Sequence, residues 1–66
     1  MNTMMKKYEI DNIIYDCYFY NNGGGDEGVV VFNNQGELLF KFNERVDGKE
    51  IVFLLKGYSL VSNTLS

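Results

Sequence analysis

Few side chains in this 66-residue chain are able to do chemistry, and those few are spread out. The most suggestive stretch is Gly23-Gly24-Gly25-Asp26-Glu27-Gly28, which fits the spacing G-x-G-x-x-G. In dinucleotide-binding proteins that spacing delivers pyrophosphate to the N-terminus of the helix that follows. Here Val29-Val30-Val31 follows, which reads as strand, and Asp26 and Glu27 would repel phosphate. A kinase-type glycine loop needs catalytic and metal-binding Asp and Asn motifs that the chain has no room for. The stretch therefore reads as a flexible hairpin loop. Asn21, Asn22, Asp26 and Glu27 offer oxygens to a cation, but without the ligand spacing of a calcium loop.

Cys17 is the sole cysteine and there is no histidine. That excludes an internal disulfide and a tetrahedral zinc site. It also leaves the thiol without a base to activate it. The carboxylates Glu9, Asp11, Asp16, Asp26, Glu27, Glu37, Glu44, Asp47 and Glu50 are scattered. Acid–base catalysis needs two of them held together in an apolar cleft. The expectation is no enzymatic activity, no cofactor and no metal.

The aromatic cluster Tyr15, Tyr18, Phe19 and Tyr20 is the remaining candidate. Alternation along a strand places Tyr18 and Tyr20 on one face and Tyr15 and Phe19 on the other, and one small core cannot take both. Surface aromatics anchor protein interfaces and stack on bases.

The elements that position these residues are read from three apolar runs, Val29–Phe32, Leu38–Phe42 and Ile51–Leu55. They are separated by Asn33-Asn34-Gln35-Gly36 and Val46-Asp47-Gly48-Lys49. Asp-Gly between apolar runs is a strong signal for a two-residue hairpin turn. A turn at Asp47-Gly48 pairs Arg45 with Glu50, Phe42 with Phe53 and Phe40 with Leu55. A three-residue loop with Gly36 left-handed pairs Phe32 with Leu38 and Val30 with Phe40. Each such cross-strand pair stabilises a sheet by roughly 0.2–1 kcal/mol.

In this register one face carries Val30, Phe32, Leu38, Phe40, Phe42, Ile51, Phe53 and Leu55, and forms the core. The other carries Val29, Val31, Leu39, Val52 and Leu54 as an apolar patch among charges. A solvated sheet face normally alternates to polar, so something must cover that patch: the chain ends, a second copy or a partner.

Towards the amino end, Asp11-Asn12 is either a tight turn or a bend in one long strand. The turn pairs Ile10 with Ile13, Tyr8 with Tyr15 and Lys7 with Asp16. A helix over Met4–Tyr20 is disfavoured, because Ile13–Tyr20 leaves it almost no polar face. Gly57 marks a kink or bulge, Tyr58–Ser62 a last short strand, and residues 1–5 and 63–66 frayed ends. The absence of Ala and the abundance of Tyr, Phe, Val and Ile favour strand. The expected fold is all-β: an antiparallel meander of five to six short strands in one domain spanning residues 1–66, curled or closed as a small SH3-like barrel.

A core of this size rarely supplies more than about 3–5 kcal/mol unaided, and with disulfides and zinc excluded, oligomerisation is the remaining support. The net charge of −3 argues against duplex nucleic acid and anionic membranes. No stretch reads as a secretory signal or a membrane span, and a lone free thiol suits the cytoplasm.

The sequence points to a non-catalytic protein-interaction module of inhibitor or adaptor type, working as a homo-oligomer, with a dimer favoured. Its expected interface is Val29, Val31, Leu39, Val52, Leu54, Tyr15 and Phe19. The alternative is a sponge-like binder of a nucleotide or other small ligand, using Tyr18, Tyr20, Gly24, Gly25 and Asp26. An acidic mimic of nucleic acid is a third reading, thinly supported by the charge.

Overall fold

The computed structural model describes residues 2–65. Four strands and one helix follow in order: β1 (Asn2–Ile10), β2 (Ile13–Asn21), β3 (Glu27–Phe32), β4 (Leu38–Phe42) and α1 (Gly48–Leu65). The strands form one open antiparallel sheet in the order β1-β2-β3-β4. The fold is thus mostly β, but it has four strands rather than five or six, a C-terminal helix, and no barrel closure.

The first hairpin turns at Asp11-Asn12, where both residues have positive φ, 52° and 67°. Asp and Asn tolerate that conformation best among residues with side chains. The turn fixes the register Ile10↔Ile13, Tyr8↔Tyr15 and Lys7↔Asp16. Lys7 Nζ meets Asp16 Oδ1 at 2.8 Å, and that bond raises the Lys7 pKa. Pairing continues to Asn2↔Asn21, so residues 2–5 are strand, not a frayed end. Met1 and Ser66 lie outside the described residues.

The second connection holds itself together. Asn21 Oδ1 accepts from the Gly23 amide at 2.9 Å, and Asn22 Nδ2 donates to Asp26 Oδ2 at 2.9 Å. The Asn22 amide donates to the Asp26 carbonyl at 2.8 Å. The loop's hydrogen bonds come from its own Asn side chains and backbone, and residues 21–26 are exposed.

The third connection is the one the sequence implies. Gly36 is left-handed (φ 81°), and Asn33 Oδ1 accepts from the amides of Gln35 and Glu37. Phe32 faces Leu38 as expected, but the register then shifts: Val31 pairs with Phe40, Val30 with Lys41 and Val29 with Phe42. Leu39 is the extra residue of a β-bulge. Because side chains alternate with period two, one inserted residue moves everything beyond it to the other face. Phe40 and Phe42 therefore share a face with Val29 and Val31, not with Val30 and Phe32.

The largest correction concerns Asp47 to Leu65. Asp47-Gly48 is not a hairpin turn and Ile51–Leu55 is not a strand. The Ile51 amide donates to the Asp47 carbonyl at 3.1 Å, the first bond of α1. Asp47 occupies the N-cap position and Glu50 the third helical position, the spacing that favours helix initiation. Gly48 is needed there, since a Cβ would sit 2.9 Å from the Tyr8 hydroxyl. Ile51, Leu55 and Ser59 are buried at helical spacing, with Val52 and Tyr58 beside them. Tyr58, Leu60 and Ser62 belong to this helix rather than to a last strand, and Asn63 and Thr64 to its last turn rather than to a tail.

The helix lies on the Val29/Val31 face. The buried core is Ile10, Tyr15, Cys17, Val29, Val31, Val46, Ile51 and Leu55. Tyr58 meets Tyr15 edge-on at 6.2 Å and Phe40 at 6.0 Å. Ser59 Oγ donates to Asp11 Oδ2 at 2.7 Å, tying the helix to the first turn.

Gly57 is neither kink nor bulge but an exposed mid-helix residue with nothing within 4 Å of an added Cβ. Gly57→Ala is therefore expected to stabilise the fold by about 1 kcal/mol. A urea titration reads this as a higher midpoint with unchanged slope; a lower midpoint would mean the site is not helical.

Candidate interaction surface

With α1 on one side, the opposite face of the sheet has no covering element among the described residues. Its side chains follow from the pairing. One row across the strands is Met5, Tyr18, Val30 and Lys41; the next is Lys7, Asp16, Phe32 and Leu38; Ile14 and Glu9 form a third. Charge sits on the edge strands at Lys7, Glu9 and Lys41 and on β2 only at Asp16, which is paired to Lys7. The middle is apolar. Leu38 is 55% exposed, Met5 and Ile14 each 46%, and Tyr18 36%. Val30 and Phe32 are half-buried.

Tyr18 and Phe32 stand edge-to-face with centroids 5.6 Å apart. Together with Asp16 and Gly36 they line a shallow hollow of about 400 Å³. Tyr20 lies across Gly28, where an added Cβ would collide with its ring and with the Phe42 carbonyl oxygen. The Tyr20 hydroxyl donates to Asn43 Oδ1 at 3.3 Å. This surface presents aromatic and aliphatic side chains side by side on paired strands. Chemically it can exclude water and pack, with the Lys7–Asp16 pair, Glu9 and Lys41 around its apolar middle.

The expected interface residues lie elsewhere. Tyr15, Val29 and Val31 are buried beneath α1, Phe19, Leu39 and Val52 are half-buried against the core, and Leu54 is half-buried beside Phe40 and Tyr58 in a hollow on the outer side of the helix. The patch that needed a cover is covered by the chain's own C-terminal helix. The residues left open, Val30, Phe32 and Leu38, are ones the sequence pattern assigned to the core. The signal for the exchange was the Asp47–Glu50 cap spacing with Ile51 and Leu55 four apart.

The alternative ligand residues are not brought together. Tyr18 packs on Phe32, while Gly24, Gly25 and Asp26 are exposed in the β2–β3 loop. Tyr20 instead borders a hollow of about 560 Å³ at the sheet's end, with Phe19, Glu27, Arg45 and Asp47 also in its lining.

Cys17 is fully buried, and burial pushes its thiol from near 9 up to about 11, with Asp16 adding to the rise. The neutral thiol is thus favoured in the fold. Stability from this group is complete below pH 9 and falls as pH rises towards 11, because the unfolded chain loses the proton first. Native protein at pH 8 should react with a maleimide only as fast as it unfolds; labelling at the free-thiol rate would show that Cys17 is open to solvent.

Among the described residues no cluster of three or more His, Cys, Asp or Glu is placed to hold a metal ion. No described helix is long and apolar enough to cross a membrane. No protein family, curated protein or solved structure matches the chain.

Proposed function

We propose that this chain is a non-catalytic protein-interaction module, of inhibitor or adaptor type, which acts by docking its open sheet face on a partner protein and works as a homo-oligomer. The observation that carries the reading is the band Met5, Ile14, Tyr18, Val30, Phe32 and Leu38 on a four-stranded face that α1 does not cover. Apolar bands rimmed by charge mark interaction sites. Aromatic side chains already fixed by packing lose little entropy on binding, which suits them as anchors. The net charge of −3 and the apolar character of the band favour a protein over duplex nucleic acid or an anionic membrane. A buried unpaired thiol fits the reducing cytoplasm.

The test is capture by tagged protein from its native host, followed by crosslinking. Reproducible recovery of one protein, crosslinked through β1–β4 on the Tyr18 side, is the expected result. Recovery of a partner crosslinked only through the β2–β3 loop would refute it.

A second reading rests on the mixed polar hollow at the sheet's end, where Phe19, Tyr20 and Arg45 are able to hold a small aromatic ligand. Native mass spectrometry distinguishes it, since a bound metabolite adds a small discrete mass whereas a protein partner adds the mass of a whole polypeptide.

A further inference from the structure

The chain has eight asparagines, and Asn22 is the one that precedes a glycine. An asparagine in that position is open to attack by its own backbone, because glycine has no side chain to shield its amide nitrogen. Gly23 has nothing within 4 Å of an added Cβ, and residues 21–26 are exposed, so water reaches the step.

The loop ties both reacting groups. The Gly23 amide, the nucleophile, donates to Asn21 Oδ1 at 2.9 Å. A neutral carboxamide oxygen is too weak a base to take the proton, so this bond anchors the amide without activating it. The Asn22 carboxamide, the electrophile, donates through Nδ2 to Asp26 Oδ2 at 2.9 Å. The Asn22 amide donates to the Asp26 carbonyl at 2.8 Å, and the Asp26 amide to the Gly23 carbonyl at 3.1 Å. Ring closure draws Asn22 Cγ on to the Gly23 nitrogen, and each of the two is tied to a different neighbour.

We propose that Asn22-Gly23 is a site of spontaneous deamidation, restrained in the native loop by Asn21 and Asp26, whose product cannot rebuild that loop. The inference does not rest on the docking reading. In the reaction the Gly23 nitrogen forms a bond to Asn22 Cγ and the Cγ–Nδ2 bond breaks. The Nδ2 group leaves as ammonia, carrying off the proton that the Gly23 nitrogen gives up. Water then opens the cyclic imide at one of its two carbonyls. Opening at Cγ leaves aspartate; opening at the main-chain carbonyl leaves isoaspartate, with the backbone routed through the side chain.

Either way, a carboxylate replaces the group that donated to Asp26, in a chain already at −3. Asp26 and the adjacent Glu27, which accepts from Asn21 Nδ2 at 3.2 Å, are both acidic. The new charge is therefore repelled where the old group was held. The end of the sheet where β2 passes into β3 opens once and does not close.

Peptide mass spectrometry of the full chain, aged at mildly alkaline pH, tests this. Modification at Asn22 should exceed that at every other asparagine. It should run about tenfold or more faster in urea than in buffer, since a hydrogen bond to a charged acceptor is worth at least that factor in rate. Asp26→Ala should move the folded protein towards the unfolded rate, and Asp26→Asn, which keeps an acceptor, should restore much of the restraint. Asn21→Ala tests the other tie in the same way, with circular dichroism confirming that each variant is folded. Asn22→Asp carries the product's side chain on an ordinary backbone. Its position-22 amide hydrogen should exchange about tenfold or more faster than in the wild type.

Four results would each overturn the proposal: deamidation spread evenly over the asparagines, equal rates in urea and in buffer, folded Asp26→Ala and Asn21→Ala both ageing no faster than the wild type, or an Asn22→Asp amide as protected as the wild type's.

Discussion

Leu55→Ala is expected to leave the protein largely unfolded at 25 °C. Leu55 has no exposed surface and sits in the helix stripe that faces Tyr15, Cys17, Val29 and Val31 in one cluster. Removing a buried leucine side chain costs about 2–5 kcal/mol, because the lost transfer energy is joined by a cavity the neighbours only partly close. A domain of this size holds only about 3–5 kcal/mol in total, so one substitution consumes most of it. A urea titration followed by circular dichroism should show no folded baseline, or a midpoint close to zero. Leu60→Ala, on the same helix but largely exposed, should move the midpoint by no more than about 0.5 kcal/mol in equivalent stability. If the two variants behaved alike, α1 would not be docked by the face described.

The second large effect is on binding. The double variant Tyr18→Glu, Leu38→Glu should lose capture of the partner by a factor of roughly thirty or more while remaining folded by circular dichroism. An interface anchor is worth about 2 kcal/mol or more when truncated, and a carboxylate buried without a counter-charge adds a desolvation penalty. Stability should fall by at least about 0.5–1.5 kcal/mol with the lost Tyr18–Phe32 ring pair, while Leu38, 55% exposed, contributes less, so capture is compared under conditions where both proteins are folded. The control is Lys56→Glu, exposed on α1, which changes charge on the other side of the sheet from the band and should leave capture intact. Equal capture by the double variant and the wild type would place the partner elsewhere.

The strands were legible in part, where their signals are local, although Asp11-Asn12 was open between a turn and a bend. Asp11-Asn12 can occupy two successive left-handed positions, and the residues flanking it pair apolar with apolar and Lys7 with Asp16. Gly36 and Asn33 specify the third turn in the same way.

Three features were not legible. The Leu39 bulge leaves no local mark in a run where residues 38, 39, 40 and 42 are all apolar, so the face carried by Phe40 and Phe42 follows only from tertiary packing. Ile51-Val52-Phe53-Leu54-Leu55 is apolar at every position and rich in β-branched and aromatic residues, which suits a strand as well as a buried helix. What decided the matter was the sheet's need for a cover on one face, together with the cap spacing of Asp47 and Glu50. The N-terminal residues 2–5 lack a strand signature of their own and are extended because Tyr18–Asn21 offers them a partner.

These errors propagated to the candidate site in a definite way. The expectation that the Val29/Val31 face lacks a cover is wrong: the chain's own C-terminal helix covers it, and the step from that patch towards a partner falls with it. Which face is hidden was inverted, since both the cover and the bulge lay beyond local reading. The expected contact residues Val29 and Val31 became core, and Val30, Phe32 and Leu38 took their place at the surface.

The most direct measurement compares neighbouring positions on one strand. Cys17 and Tyr18 are adjacent in β2 and point to opposite faces, one beneath the helix and one outward. Tyr18→Cys protein, treated with a maleimide under native conditions and mapped by peptide mass spectrometry, should carry the label at position 18 at the free-thiol rate and leave Cys17 unmodified. Label at Cys17 with position 18 protected would mean that the helix covers the other side of the sheet, and the proposed docking face would then be buried.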